Sequence, residues 1–163
     1  MNMSDYRRNA GIMLLNKDGK VFMAQRSDAR VPAWQMPQGG IDGDEKPLAA
    51  AVRELYEETG VKSVSYLAEC QNWYSYDFPA GVSFTTKKKN YKGQTQKWFL
   101  FMFEGDESEI DLNATQAEFT AWEWVDAEEV PQRIVAFKKA VYENVLKEFL
   151  PVIKAIRERK TTV

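Results

Sequence analysis

A glycine-rich loop that runs into a helix is the feature that most constrains how this chain can fold. The loop, Gln38–Asp44, contains three glycines, which let backbone approach a ligand closely. The next residues, Glu45–Thr59, are predicted to form a helix, because Pro47 suits a first helical turn and Gly60 stands where a glycine commonly ends one. The sequence therefore predicts a loop-helix unit whose loop can approach a ligand.

Three glutamates converge on this predicted helix. Glu54, Glu57 and Glu58 stand at positions i, i+3 and i+4, so they cover a sector of about 100° beside the predicted apolar face. Like charges at this spacing repel one another, and a divalent cation removes the conflict. Oxygen ligands match Mg²⁺ or Mn²⁺, and protein-bound Mg²⁺ usually shares its coordination sphere with substrate phosphates. The pattern therefore predicts a metal site for phosphate chemistry. The apolar face itself is predicted from Leu48, Val52, Leu55 and Thr59.

The composition excludes several other kinds of site. The chain has no histidine and a single cysteine, Cys70, so disulfide frameworks, Cys/His zinc sites and His-based catalytic triads are ruled out. Catalysis must then use carboxylates, lysine, tyrosine or a hard metal. The formal charge of -2 excludes the broad basic surface of a protein that coats nucleic acid, and we expect no DNA partner.

The length and hydropathy pattern predict one soluble domain. A chain of 163 residues fits a single domain, which we expect to span residues 1–163. No run of 18 apolar residues occurs, and the polar N-terminus has no signal-peptide character. We therefore expect a cytoplasmic protein without a membrane partner.

Apolar runs and turn signals predict a mixture of strands and helices. Ala10–Leu15 and Val21–Arg26 are joined by Asp18-Gly19, which is a strong hairpin signal. The last helix is predicted over Val135–Arg159, with Pro151 interrupting or bending it. This order favours an α/β fold around a mixed sheet. A short extended segment is predicted at Trp34–Pro37, and further strands are predicted at Val64–Tyr76, Gln96–Phe103 and Thr120–Val125.

The loop-helix unit resembles the signature of a known family. Residues matching every defined position of the Nudix box are Gly39, Glu45, Arg53, Glu54, Leu55, Glu57, Glu58, Gly60 and Val61. The resemblance implies a Nudix α/β/α sandwich that hydrolyses a nucleoside diphosphate linked to another group. It also implies that the last glutamates bind Mg²⁺, that Arg53 orients them and that Glu45 assists from the helix start.

The resemblance extends over nearly the whole chain, to the bacterial RNA pyrophosphohydrolase branch, which is similar to the diadenosine polyphosphate hydrolases. This branch implies conversion of 5′-triphosphorylated to 5′-monophosphorylated RNA. An alternative is hydrolysis of dinucleoside polyphosphates or nucleoside triphosphates. A nucleotide-binding module without turnover would be expected to lack box glutamates, and all are present. The segments that carry the resemblance are Tyr6-Arg7, Trp34–Gly40, Gln94–Leu100, Glu118-Phe119, Trp122–Val125 and Val135–Tyr142.

The expected reaction is attack of water on a phosphorus atom, assisted by the metal ion as a Lewis acid. A carboxylate within hydrogen-bond reach of that water must take its proton. Glu57 is one candidate, and Glu118 is another because it resembles a late catalytic glutamate of this branch and joins the implied metal ligands. The sequence leaves this choice open.

The resemblance also implies which residues contact the substrate. Arg7, Arg26 and Lys97 are candidate phosphate clamps, because guanidinium and ammonium groups bind phosphate oxygens. Phe137 with Lys138 resembles the place where this branch stacks the second nucleotide, although Phe137 also fits the apolar stripe of the last helix. The remaining candidate contacts are Gly39, Gly40 and Val135.

Other notable residues receive structural interpretations. Trp73, Tyr74 and Tyr76 are interpreted as sheet and core, with Tyr76 the one most worth testing as a base contact. The run Lys87–Lys89 is interpreted as a solvated loop tip. Ala33 stands where the branch has serine, which removes a possible hydroxyl contact to a base and leaves base selectivity open.

Overall fold

The computed structural model describes residues 5–26, 33–80, 84–86, 89–113 and 119–161. The predictions made for Glu118 and for Lys87-Lys88 lie outside these residues. The strands are β1 Tyr6–Leu15, β2 Val21–Arg26, β3 Trp34–Gln35, β4 Gln38–Gly40, β5 Val64–Glu69, β6 Tyr74–Asp77, β7 Phe84–Thr86, β8 Lys89–Tyr91, β9 Gly93–Phe103 and β10 Phe119–Val125. The helices are α1 Pro47–Thr59, α2 Val130–Arg133 and α3 Lys139–Thr161.

The central sheet is mixed, as predicted. Its strands lie in the order β10-β2-β1-β9-β5, with β3 paired to β2, β4 to β1 and β6 to β9. The central pair β1 and β9 is parallel, and the other pairs of this sheet are antiparallel. Strands β7 and β8 form a separate antiparallel pair. The predicted hairpin is confirmed, since Leu15 pairs with Val21 across a turn in which Gly19 has a φ of 78°.

Each face of the sheet carries its own apolar core, because neighbouring residues of a strand point to opposite faces. On one face, Ile12 and Leu14 of β1 join the cluster that contains Leu55 of α1. On the other face, Met13 and Leu15 join the cluster that contains α3. Helices on both faces of a mixed sheet make an α/β/α sandwich, so the predicted fold is confirmed.

The first part of the predicted glycine loop is a strand. Gln38–Gly40 forms β4 and pairs with Asn9–Gly11 of β1. The prediction of a loop is wrong for these three residues. Their pairing could not be predicted from the local sequence, because the partner strand β1 is distant in the chain. This pairing places Gly39 beside Glu54 of α1.

Helix α1 has the predicted ends but not the predicted buried face. Pro47 lies in its first turn, and Gly60 ends it in the left-handed conformation with a φ of 79°. Leu48 and Val52 are 40% and 44% exposed, so their prediction as buried residues is wrong. The buried face uses the small side chains of Ala50 and Ala51, together with Leu55 and Thr59, and small side chains let the helix approach the sheet closely.

The last helix begins four residues later than predicted. Ala136–Lys138 forms a separate 3-10 turn before α3 begins at Lys139. The helix continues through Pro151, which is exposed, so the carbonyl left without a helical donor is on the solvent side. The predicted interruption is therefore wrong. Among the helices that the structure describes, none is both long enough and apolar enough to cross a membrane.

The predicted strand Val64–Tyr76 is two strands. Strand β5 ends at Glu69, β6 begins at Tyr74, and the loop Cys70–Trp73 separates them. Both strands pair with β9, at different places along its length.

Candidate active site

A single arginine holds the acidic residues of α1 together. Arg53 donates two hydrogen bonds to the carboxylate of Glu45, from Nε at 2.8 Å and from Nη2 at 2.9 Å. Its Nη1 lies 2.9 Å from Oε1 of Glu54 and 3.1 Å from Oε2 of Glu57, and Nη2 also donates to the carbonyl of Gly40 at 2.8 Å. The hydrogen bond to Glu45 is the main cause that raises the pKa of Arg53 and lowers the pKa of Glu45. The predicted orienting role of Arg53 is consistent with these contacts.

The two glycines of β4 make room for charged side chains. A Cβ on Gly39 would collide with the carboxyl group of Glu54, and a Cβ on Gly40 would collide with the guanidinium of Arg7. Glu54 is therefore packed against backbone, and burial raises its pKa, although the nearby charge of Arg53 opposes this shift. Within the protein, these glycines admit side chains; their contact with substrate stays a prediction.

The other two glutamates differ in exposure. The side chain of Glu57 is 52% exposed, which leaves it accessible to water and substrate. Glu58 is half-buried and accepts a hydrogen bond from the backbone amide of Gln38, with N and Oε2 3.3 Å apart. The structure therefore places Glu54 and Glu58 against β4, and Arg53 links Glu57 to Glu54.

The chemistry of this cluster fits a divalent cation. Four carboxylates, those of Asp42, Glu45, Glu54 and Glu57, lie within 3.4 Å of the Arg53 guanidinium, so the group carries excess negative charge, and each donor atom is an oxygen. Arg53 contacts Oε1 of Glu54 and Oε2 of Glu57, which leaves the second oxygen of each carboxylate for a cation. In the residues that the structure describes, no three acidic, cysteine or histidine side chains are already gathered around one ion position.

Tyr76, Phe137 and Lys138 form a second group, which is aromatic and cationic. The ring centroids of Tyr76 and Phe137 are 5.6 Å apart, and Lys138 Nζ lies 5.5 Å from the Tyr76 ring and 5.8 Å from the Phe137 ring. Phe137 is 40% exposed because it belongs to the 3-10 turn, so its interpretation as part of the helical core stripe is wrong. Tyr76 is buried, as predicted.

Lys138 connects this aromatic group to the acidic helix. The pKa of Lys138 is lowered to about 8, mainly by burial and also by the positive charge of Arg26, while the negative charge of Glu58 opposes both. Lys138 is therefore within electrostatic range of Glu58 and of Arg26, which ends β2. Val135 is half-buried beneath the same turn and accepts a hydrogen bond from the amide of Lys138 at 3.0 Å.

The structure separates the remaining predicted phosphate clamps. Arg7 lies beside Gly40 and acts electrostatically on both Glu54 and Tyr76, so it faces the site. Lys97 instead donates to the carbonyl of Cys70 and lies 3.3 Å from Glu69. The structure therefore does not place Lys97 with the glutamates of α1, and its role as a clamp stays a prediction.

Sequence reasoning missed Tyr142. It is buried on α3, its hydroxyl accepts a hydrogen bond from the Met36 amide at 3.0 Å, and burial raises its pKa. The Glu58 carboxylate raises that pKa further, which shows that Tyr142 lies within electrostatic range of the site. A tyrosine among the apolar residues of a core stripe is the signal that indicates a buried hydroxyl needing a partner.

Trp73 also differs from its interpretation. It is 37% exposed, so its assignment to the core is wrong, and the guanidinium of Arg8 lies 5.1 Å from its ring centroid. Tyr74 is half-buried and packs against the core as predicted. The polar neighbours Gln71 and Asn72 were the signal that Trp73 belongs to an exposed loop.

Comparisons with known proteins identify the family and the fold. A family model described as NUDIX domain matches residues 5–145. An RNA pyrophosphohydrolase of Bartonella clarridgeiae is 49% identical over 155 residues, spanning 88% of this chain and 90% of that protein. An RNA pyrophosphohydrolase of Agrobacterium fabrum is 50% identical, over 88% of this chain and 91% of that protein. The solved structure of the E. coli dihydroneopterin triphosphate pyrophosphohydrolase matches with a TM-score of 0.64 at 20% identity, covering 87% of this chain and 98% of its own, which bears on the fold alone.

Proposed function

Because this chain belongs to the Nudix family, we propose that it is an RNA pyrophosphohydrolase, which converts 5′-triphosphorylated RNA to 5′-monophosphorylated RNA. The observation that carries the proposal is the position of Lys138, which contacts an exposed aromatic ring and lies within electrostatic range of Glu58 on α1. A substrate can therefore place polyphosphate at the acidic helix and a base at Phe137. The two relatives at 49% and 50% identity bear the name of this activity.

A divalent metal ion is part of Nudix chemistry, and we assign Mg²⁺, with Mn²⁺ as a substitute, to Glu54, Glu57 and Glu58. Their oxygens are the hard ligands that Mg²⁺ prefers. When bound, the ion would polarise phosphoryl oxygens and lower the pKa of a water molecule. Glu54 is held by the backbone of Gly39 and by Arg53, so one ligand is fixed before a metal ion arrives.

Side chains of the protein neutralise phosphate charge, orient the carboxylates and remove the proton. Arg7 and Lys138 neutralise phosphate charge on the side of Tyr76, and Arg53 keeps the carboxylates of Glu45 and Glu54 oriented. Glu57 is one candidate for taking the proton from the attacking water, because it is the most exposed of the three helix glutamates. The choice between Glu57 and Glu118 as the base stays open, since Glu118 lies outside the described residues.

Phe137 and Lys138 hold the second nucleotide of the RNA in this proposal. A base that stacks on an aromatic ring gains about 1 to 3 kcal/mol, and the exposed ring of Phe137 offers such a surface. Lys138 beside the ring supplies a charge for the adjacent phosphate. A nucleoside triphosphate has no second base, so it would not use this contact.

The test compares Phe137→Ala with the wild-type protein on triphosphorylated RNA, a nucleoside triphosphate and diadenosine tetraphosphate. We expect kcat/KM to fall about tenfold or more on RNA and to change little on the nucleoside triphosphate. Equal losses on both, or wild-type preference for the free dinucleotide, would instead identify an enzyme of the nucleotide pool. Tyr66→Ala is the matched control, because Tyr66 is an aromatic residue of 49% exposure on β5.

A second variant separates an enzyme from a binding module. Glu57→Gln should abolish metal-dependent turnover while leaving nucleotide binding measurable. Turnover that survives in Glu57→Gln would remove Glu57 as the base and favour Glu118. We also propose that residues 1–163 form one Nudix domain in the cytoplasm; the family model accounts for residues 5–145 of it.

A further inference from the structure

Trp73 is a large apolar side chain that the protein leaves open to solvent. It is 37% exposed, although the aromatic residues that follow it in β6 are half-buried or buried. The guanidinium of Arg8 lies over its ring, 5.1 Å from the centroid. An exposed indole with a cation against it is the combination that binds a nucleobase and its phosphate.

The loop that carries Trp73 is held firmly. Cys70 is fully buried and its amide donates to the carbonyl of Trp98 at 3.0 Å. The carboxylate of Glu148 on α3 accepts from the Gln71 amide at 2.8 Å and from the hydroxyl of Tyr74. Both ends of the loop are therefore anchored to the core and to α3. An exposed ring on an anchored loop loses little conformational entropy when a ligand stacks on it.

Arg8 and Trp73 lie on the face of the sheet that carries α1, opposite to the face of Tyr76. Arg7 faces Gly40 and Tyr76, and the next residue of a strand points to the opposite face. The carbonyl of Arg8 accepts from the amide of Ile41, directly after β4, at 3.1 Å. Trp73 directly precedes β6, and β6 pairs only with β9 in the part of the sheet that the structure describes. A polynucleotide bound at Phe137 can therefore pass over the edge strand β6 and reach Arg8 and Trp73.

We propose that Arg8 and Trp73 form a subsite for an RNA nucleotide beyond the second one. The indole ring stacks with the base, and the guanidinium contacts the adjacent phosphate. The assignment rests on the proposed function, because it requires the 5′ end of an RNA chain at the acidic helix. The overall charge of -2 makes such a local cation more important for holding a polyanion.

The experiment measures KM and kcat on triphosphorylated RNAs of two and eight nucleotides, for the wild-type protein, Trp73→Ala, Trp73→Phe and Arg8→Gln. The wild-type KM should be lower for the longer RNA. Trp73→Ala should raise the KM for the octamer between about fivefold and 100-fold, with kcat and the dinucleotide KM little changed. Trp73→Phe should restore most of the affinity, since phenylalanine still offers a stacking surface.

Two control variants match these changes. Tyr66→Ala removes another exposed aromatic ring, and Lys62→Gln removes another cation that lies over a ring, 4.5 Å from the centroid of Tyr56. Both should behave as wild type on either RNA. Equal wild-type KM values for the two lengths, or an equal rise for both in Trp73→Ala, would overturn the subsite.

A binding measurement separates this inference from the proposed function. Fluorescence anisotropy with a labelled 5′-monophosphorylated octamer, in the presence of a chelator, reports affinity without turnover. If the wild-type protein does not hydrolyse RNA, the proposed function fails. In that case, octamer binding that still depends on Trp73 would support an RNA contact there, and binding indifferent to Trp73→Ala would overturn it.

Discussion

Arg53 donates two hydrogen bonds to the carboxylate of Glu45, with Nε 2.8 Å from Oε2 and Nη2 2.9 Å from Oε1. Two-pronged contact with a carboxylate fixes the plane of the guanidinium as well as its position. The remaining nitrogen of that plane contacts Glu54 and Glu57, so Glu45 indirectly sets where two implied metal ligands lie.

The first prediction is that Arg53→Lys lowers kcat/KM about 10- to 100-fold, the usual effect of losing a partner that orients metal ligands. Lysine keeps the charge but cannot form the forked contact. Arg157→Lys is the matched control, because Arg157 makes the same two-pronged contact with Glu128, at 2.9 and 2.8 Å. Full activity in Arg53→Lys would show that charge alone suffices.

The second prediction concerns the space that Gly39 leaves for Glu54. Gly39→Ala places a methyl group where the carboxyl group lies, so Glu54 must move, and we expect loss of most turnover with the fold retained. Gly43→Ala is the control, since its Cβ meets no atom within 4 Å, although its φ of 44° costs about 1 kcal/mol. Activity assays with a thermal melt distinguish the two. Normal turnover in Gly39→Ala would exclude the observed position of Glu54 from the active state.

Local signals explain why α1 and its row of glutamates could be predicted from the sequence. Pro47 and Gly60 act through their own backbone conformations, and the glutamate spacing follows from the helix repeat alone. The hairpin around Gly19 is local in the same sense. These features therefore needed no knowledge of the remaining chain.

Features that depend on distant partners could not be predicted in this way. The glycines of Gln38–Gly40 predict a loop, and only the pairing with β1 makes this segment a strand. Phe137 fits the apolar repeat of α3, and only the 3-10 turn before the helix turns its ring outward. Leu48 and Val52 are exposed because the paired alanines of α1, rather than its largest apolar residues, pack against the sheet.

The third prediction concerns pH. Lys138 has a pKa of about 8, well below that of an ordinary lysine near 10.4, because burial disfavours its charged form. The ammonium that contacts phosphate is present below pH 8 and is lost as the pH rises through 8. We therefore expect kcat/KM on RNA to fall about tenfold by pH 9, because kcat/KM reports groups of the free enzyme.

Lys138→Arg tests this assignment, because arginine stays charged over the whole range. Its profile should remain flat where the wild-type profile falls. Lys139→Arg, at the exposed neighbouring position, should follow the wild type. Parallel profiles for all three proteins would assign the titration to another group.

The fourth prediction concerns stabilisation by metal ions. Mg²⁺ that binds only the folded state should raise the melting temperature, with about 2.7 kcal/mol gained when its concentration is 100 times the dissociation constant. The rise should be lost in Glu54→Gln and Glu57→Gln and kept in Glu143→Gln, which changes an exposed glutamate of α3. A chelator should abolish both stabilisation and turnover. An equal rise in all of these proteins would place the ion elsewhere.

The parallel pairing of β1 with β9 has a consequence for how the protein reaches its native state. Asn9 and Gln96, which are hydrogen-bonded at the centre of the sheet, are 87 positions apart in the chain. Closing so long a loop costs entropy before any contact compensates for it, and such non-local topologies fold slowly. On the ribosome, the helix that carries the glutamates is complete well before β9 emerges. Helix α1 is therefore synthesised early, but it can pack against the complete sheet only after β9 has been synthesised.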